Sequence, residues 1–370
     1  MATDRVRTSQ CNVGLIKNLT RSTLCSAVVV LVLAAPVGAQ VSAGSPIRQK
    51  LTASLTLYVG GTYLNSSDSN DCLSFANQCA TVQGAVNKAY NLYDTQGNNI
   101  NITVCAACTA TYTGAVVVSG PLVGGGVLTI NGNGVPVLTS TSSVSTLLVQ
   151  NGANVSTQNI SYTNTGSGSC LTSTVNGILT VSTGVVVGSC GAMQLAVSAG
   201  GTAVVTALTI ASGAVAQAAF HVPALGNLNM DGATITCGAT NPTYSLYFIG
   251  VGSAYAEAIG TTFSGCGSVT GPHFTVNRNG AIRANSSDIN VAGFFPGSAQ
   301  GTLTANGVFD SYGSTSFNVT VANLPTCIAG IKGVPASVSD ATAWVTGGAL
   351  TGGGSTWAGV ICNGTAWVYM

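Results

Sequence analysis

The chain has 370 residues, 46% of them hydrophobic and only 5% charged, with a formal net charge of +1. So little charge beside so much apolar surface excludes an electrostatic nucleic-acid binder and argues against a disordered chain. Val, Thr and Ile with 48 glycines and many Asn residues favour strands joined by tight turns, so an all-β fold is expected.

In chain order, the first element is a signal-like segment over 1–39. Arg5, Arg7, Lys17 and Arg21 precede the apolar run AVVVLVLAA at 27–35, and small residues lead to a cut after Ala39. An upstream extension from a wrongly chosen start codon is the alternative. A bilayer crossing takes about 20 apolar residues, so no stable membrane insertion is expected. Cleavage removes four basic residues and Asp4, leaving a formal charge of −2, and it removes Cys11 and Cys25.

The ten remaining cysteines suit disulfides in an oxidising compartment, and a secreted or extracellular protein is expected. Their pairing does not follow from the sequence. Cys72 and Cys79 are close enough for a local loop, and Cys327 and Cys362 bracket the C-terminal segment. CAAC at 105–108 has the spacing of a redox pair but no βαβ pattern around it. Zinc is not expected, because no second CxxC or flanking His exists; no cofactor or metal is predicted.

Residues 40–95 predict an N-terminal strand and a capping helix. ATVQGAVNKAYNLY at 80–93 is the one helical pattern, with Val82, Ala85, Val86 and Ala89 on one face. Asp68 and Asp71 in NSSDSNDC suit an Asx-rich turn better than a calcium loop.

Over 96–319 the chain repeats. Gly177, Gly201, Gly226, Gly252 and Gly280 stand 24, 25, 26 and 28 residues apart. Apolar residues follow each at +2 (Leu179, Ala203, Leu228, Ala254, Ile282) and +4 (Val181, Val205, Met230, Ala256, Ala284). That alternation is a half-buried strand. A second strand precedes each glycine, with Leu171, Leu195, Phe220, Leu246 and Phe274 at −6. Strands this short cannot bury a face alone, so stacked units are required. The expected fold is a right-handed parallel β-helix, a solenoid with its short N-terminal helix as cap. Residues 320–370 leave the repeat, carry Trp344, Trp357 and Trp367, and predict a small C-terminal β module.

The odd offsets point outward: Asn229, Tyr255 and Arg283 at +3, and Asp231, Glu257 and Asn285 at +5. With rungs about 4.8 Å apart, these six form one polar patch with the hydrogen-bonding groups and the aromatic face that bind sugars. Ordinary surface polarity is the competing explanation. Asp231 and Glu257 stacked about 5 Å apart would also match the carboxylate pair of a retaining glycosidase. His221 and His273 fall at different offsets and face opposite ways, which disfavours a metal site.

SPIRQKLTASLTLYVGG (45–61) followed by SSDSNDCLSFANQCATVQGAVNKA (66–89) resembles the leading segment of phage and prophage tailspike or tail-fibre-like proteins with a pectate-lyase-type β-helix. In that family a strand ending in Tyr-Val leads through an Asp-Ser-Asn-Asp loop to a capping helix; Ala80, Thr81, Val82 and Gln83 fill the start of the helix here. GAVVVSGPLVGGG (114–126), FHVPALGNLNMDG (220–232) and the closing stretch 340–370 are similar too.

The resemblance implies a structural protein, often a homotrimer, that touches bacterial surface polysaccharide; a virion tail is then the alternative location. No catalytic motif carries over. Three readings stand: a glycan-binding fibre or spike without catalysis, a secreted glycan hydrolase or lyase using Asp231 and Glu257, and a secreted cell-surface adhesin or scaffold derived from a prophage gene.

Overall fold

A strand of four or five residues leaves its backbone N–H and C=O groups unpaired on both edges until other strands lie alongside, and this chain meets that demand by coiling. The computed structural model describes residues 47–370 except 64, 106, 109–110, 212–217, 239–247, 252–253, 266–274, 277–278, 286–301, 304–307, 313–319, 325, 328–331, 333–334 and 343–344. The signal-like segment, Gly252, His273 and Trp344 lie outside the described residues.

Three parallel sheets run the length of a right-handed β-helix. The first has ten strands, from Leu55–Val59 through Ile100–Cys105, Leu128–Asn133, Asn154–Gln158, Ile178–Val181, Thr202–Val205, Asn227–Asn229, Tyr255–Ala258 and Ala281–Asn285 to Val308–Tyr312. Among the described residues the second has seven strands, from Thr111–Thr113 to Thr262–Ser264, and the third has eight, from Val116–Ser119 to Thr302–Leu303. The coil begins earlier than expected, since Leu55–Val59 pairs with Ile100–Cys105 as its first rung. Seven of the rungs among the described residues also carry a strand that the two-strand repeat did not reveal, the one belonging to the second sheet.

The core is a set of apolar files. Leu55, Ile100, Leu128, Val155, Leu179, Ala203, Leu228, Ala256 and Ile282 pair in register along the first sheet, and all but the partly buried Leu55 are enclosed. Each enclosed Leu, Ile or Val contributes roughly 1.5–3 kcal/mol from leaving water. One polar residue interrupts the neighbouring file: Thr157 lies between Ile130 and Val181, and its hydroxyl bonds that of the buried Tyr162.

The spaced glycines have a steric cause. A Cβ on Gly177, Gly201 or Gly226 would stand 2.5, 2.4 or 2.0 Å from the carbonyl oxygen of Val149, Ser173 or Val197, so the chain needs glycine where it passes over the previous rung. Gly252 is not the next member. Register pairs Leu228 with Ala256 and Ala256 with Ile282, which puts Ala254 in line with Gly226 and Gly280. The same two-residue shift places Phe248, not Leu246, against Phe220.

The helix Val82–Leu92 closes the N-terminal end. Thr81 is its N-cap and accepts the Gly84 N–H at 2.8 Å. Asp68 holds that cap, accepting the Thr81 N–H at 2.8 Å and hydroxyl at 2.7 Å, while Asp71 accepts the Leu73 N–H at 3.0 Å. Both carboxylates are thus occupied within the chain, in keeping with a turn. Strand Val116–Ser119 ends the third sheet, and the Gln83 carboxamide satisfies its outer edge by donating to Val117 O at 3.1 Å and accepting the Val117 N–H at 2.7 Å. Gln83 therefore does there what a further strand would do.

Disulfides join Cys72–Cys79, Cys105–Cys108, Cys170–Cys190 and Cys327–Cys362, and Cys237 is disulfide-bonded as well. Beyond the coil, Pro335–Ala341, Thr356–Cys362 and Trp367–Tyr369 form an antiparallel sheet with a core of its own, including Leu324, Val338, Val360 and Tyr369.

Replacing Gln83 by Leu leaves both Val117 groups without their partner. The Gln83→Leu protein is expected to lose about 1–3 kcal/mol in urea unfolding at unchanged slope.

Candidate functional site

Outward side chains of the first sheet form files as continuous as those of its core. Thr56, Asn101, Thr129, Ser156, Thr180 and Val204 precede Asn229, Glu257 and Arg283 in one file, each in register with the next. The next outward file, toward the strand starts, brings Asn227 against Tyr255 and Tyr255 against Ala281. The file thus changes from hydroxyls and amides to an ion pair near the C-terminal end.

Glu257 and Arg283 stack directly, with Arg283 Nη1 3.5 Å from Glu257 Oε1. Both are partly exposed, so the attraction is screened and is worth about 1 kcal/mol or less. Tyr255 stands beside both. Burial of its hydroxyl raises its pKa above the usual tyrosine value; Arg283 opposes this shift, and the Glu257 charge adds to it. Arg283 is in turn paired through the backbone with Asp310 on the last strand of the sheet.

Asn229, Tyr255, Glu257 and Arg283 are thus neighbours on one face. Asp231 is placed differently from the expectation that it stacks on Glu257. The register sets Asn229 opposite Glu257, and Asp231 lies two residues further on, about 8 Å away along the diagonal of the rung spacing and strand rise. Its carboxylate accepts the Ile259 N–H at 2.7 Å and the Asn229 carboxamide at 3.4 Å, and its own N–H donates to Asn229 Oδ1 at 3.1 Å. Asp231 is therefore a clasp between two rungs at a corner. Asp231 and Glu257 are thus not directly opposite each other, as stacking of a retaining-glycosidase pair would require. Asn285 ends the strand Ala281–Asn285 and pairs with Tyr312, two positions beyond Arg283; its side chain lies outside the described residues.

An aromatic cluster at the other end of this face was not anticipated. Tyr58 points outward on the first strand and packs against Phe75 with ring centroids 4.4 Å apart, and Tyr63 and Phe75 are each about half exposed. The loop that carries Tyr63 and Phe75 is folded back by Cys72–Cys79. The Tyr-Val at 58–59 marked the strand, but only the disulfide-closed loop brings Phe75 onto Tyr58. Seven rung steps, about 34 Å, separate Tyr58 from Tyr255 along the sheet.

Two clefts border the cap. One is lined by Asp68, Thr81, Gln83, Asn87 and Lys88, the other by Thr62, Gln83, Thr111, Tyr112 and Val116. Among their lining groups, Asp68, Thr81 and Gln83 already serve the cap and the sheet edge, whereas the Glu257 face is an open sheet surface. No group of three or more His, Cys, Asp or Glu residues is gathered among the described residues, and no described helix is long and apolar enough to cross a membrane.

His221 lies on the third sheet between Ala196 and Ile249, and burial lowers its pKa from 6.5. The folded state then binds this proton less readily than the unfolded chain. Stability contributed by the neutral ring is complete above pH 6.5 and falls as the pH drops below it toward the depressed folded value. Urea midpoints measured between pH 7.5 and 5 should decline more steeply for the native chain than for His221→Gln.

No protein-family model, curated protein or solved structure matches the chain.

Proposed function

We propose that the outward face of the first sheet binds an extended bacterial surface polysaccharide and does not cleave it. The observation that carries this reading is the in-register face itself. Aromatics stand near both ends: Tyr63 and Phe75, about half exposed, with the partly buried Tyr58, and at the other end the partly buried Tyr255. Between them run Asn101, Thr129, Ser156 and Thr180, then the aliphatic Val204, then Asn229, followed by Glu257 and Arg283. Aromatic rings take the apolar faces of sugars, and amides, hydroxyls and the ion pair take their hydroxyl groups. Successive rungs offer such groups about every 4.8 Å, so a polymer along the coil axis meets equivalent partners repeatedly.

Charge narrows the ligand. Arg283 is the one cation in these outward files over the described residues, and it is engaged with Glu257. No Asp, Glu, Lys or Arg lies between residues 95 and 230. A polyanion would meet almost no compensating charge, and a neutral polysaccharide needs none.

The same chemistry serves a tail fibre or tailspike and a secreted adhesin or scaffold. The disulfide bonding of all nine described cysteines favours the secreted form over a fibre assembled in a reducing cytoplasm. The hydrolase or lyase reading loses support because Asp231 is committed to the corner. The homotrimer implied by the family resemblance is part of the proposal, and sedimentation of the purified chain tests it.

Titration with a neutral bacterial surface polysaccharide should show binding that Tyr255→Ala and Glu257→Gln each weaken about tenfold or more. Their unfolding free energies should stay within about 1 kcal/mol of the parent. Oligosaccharide release should remain at background. Release that disappears in Glu257→Gln would replace binding with catalysis.

A further inference from the structure

Nine cysteines are described and eight of them are buried; Cys108 alone is partly open to solvent. It is bonded to Cys105, three residues away, whereas the other described disulfides span 7, 20 and 35 residues. Closing so small a ring removes the least freedom from the unfolded chain, so this bond gains least from chain entropy. The Cys108 backbone N–H points at Cys105 Sγ, 3.1 Å away. A hydrogen bond to sulfur stabilises a thiolate there and makes Cys105 the better leaving group. Beneath the pair, the buried Tyr112 hydroxyl donates to the Cys105 carbonyl at 2.6 Å and also lies 3.3 Å from Val59 O, tying the site to the first rung. Gln78 Nε2 stands 4.0 Å from Cys108 Sγ.

From the exposure of one sulfur, the N–H on the other and the short ring, we infer that Cys105–Cys108 is a thiol–disulfide exchange site for small dithiols, with Cys108 as the sulfur that is attacked. A dithiol thiolate attacks Cys108 Sγ. The Cys105–Cys108 bond breaks, its electron pair leaves on Cys105 as thiolate, and a mixed disulfide joins Cys108 to the incoming sulfur. The second thiol of the dithiol, deprotonated, then attacks its partner sulfur in that mixed disulfide, closes the oxidised dithiol and releases Cys108 as thiolate. Two electrons pass from the dithiol to the cysteine pair, and the two thiol protons go to the cysteine thiolates or to solvent. This activity is separate from the proposed glycan face: the strand Ile100–Cys105 serves both, but the face uses the outward side chain of Asn101 and the exchange uses the two cysteines.

The test uses the full folded chain. Graded dithiothreitol followed by alkylation and peptide mass mapping should label Cys105 and Cys108 at reductant concentrations about tenfold below those that open any other pair. Labelling of another pair first, or of all pairs in one step, overturns the inference. Direction is tested with oxidised glutathione. Cys105→Ser, which leaves the open Cys108 thiol, should gain one glutathione, and Cys108→Ser, which leaves the buried Cys105, should gain none. Equal gain by both variants, or none by Cys105→Ser, overturns the assignment of Cys108 as the attacked sulfur.

Discussion

Every feature of this molecule depends on parallel strands stacking in register from one rung to the next. Backbone hydrogen bonds between rungs set the spacing, and the pleat sends alternate side chains in and out. A file of Leu, Ile, Val and Ala inside, and a file of Thr, Asn and Ser outside, are two consequences of one geometry. The glycines before the first-sheet strands belong to it as well, because each lets the chain cross within van der Waals reach of a carbonyl on the preceding rung.

A coil built this way has two liabilities, its open ends and its low charge. At the N-terminal end the helix Val82–Leu92 covers the core, and Gln83 satisfies the backbone edge at Val117. Asp68 and Thr81 hold the helix in place, and Cys72–Cys79 closes the loop leading to it. Most of the few carboxylates with described side chains have structural partners: Asp68 at the cap, Asp231 at a corner, and Asp340 receiving the Val321 N–H in the C-terminal module. Glu257 differs, since its partner is a side chain on the open sheet face. Its pairing with Arg283, with Tyr255 alongside, is therefore the chemically distinctive point on the first sheet.

The disulfides follow the same logic of joining what stacking alone leaves loose. Cys170 precedes a third-sheet strand and Cys190 ends the next second-sheet strand, so their bond ties one turn of the coil to the following one. Cys327–Cys362 ties the C-terminal sheet to the segment that leads into it. Cys105–Cys108 joins nothing distant, which sets it apart from a structural brace.

Alternation with period two, glycines at about 25-residue intervals and one amphipathic stretch at 80–93 were enough to establish the all-β coil, its cap and the outward sense of Asn229, Tyr255, Glu257 and Arg283, because these are local consequences of strand and helix geometry. Register was not legible. Moving the anchor from Ala254 to Gly252 is a slip of two residues, which leaves every side chain on its own face and so leaves no trace in the alternation. Only hydrogen bonding between rungs showed that Glu257 stands over Asn229 and under Arg283, and that Asp231 turns away to hold Ile259. The placing of Phe75 on Tyr58, like the pairing of the cysteines, had to await the tertiary structure for the same reason: which residues meet across a long stretch of chain depends on the path of the whole rung, and local composition does not record that path.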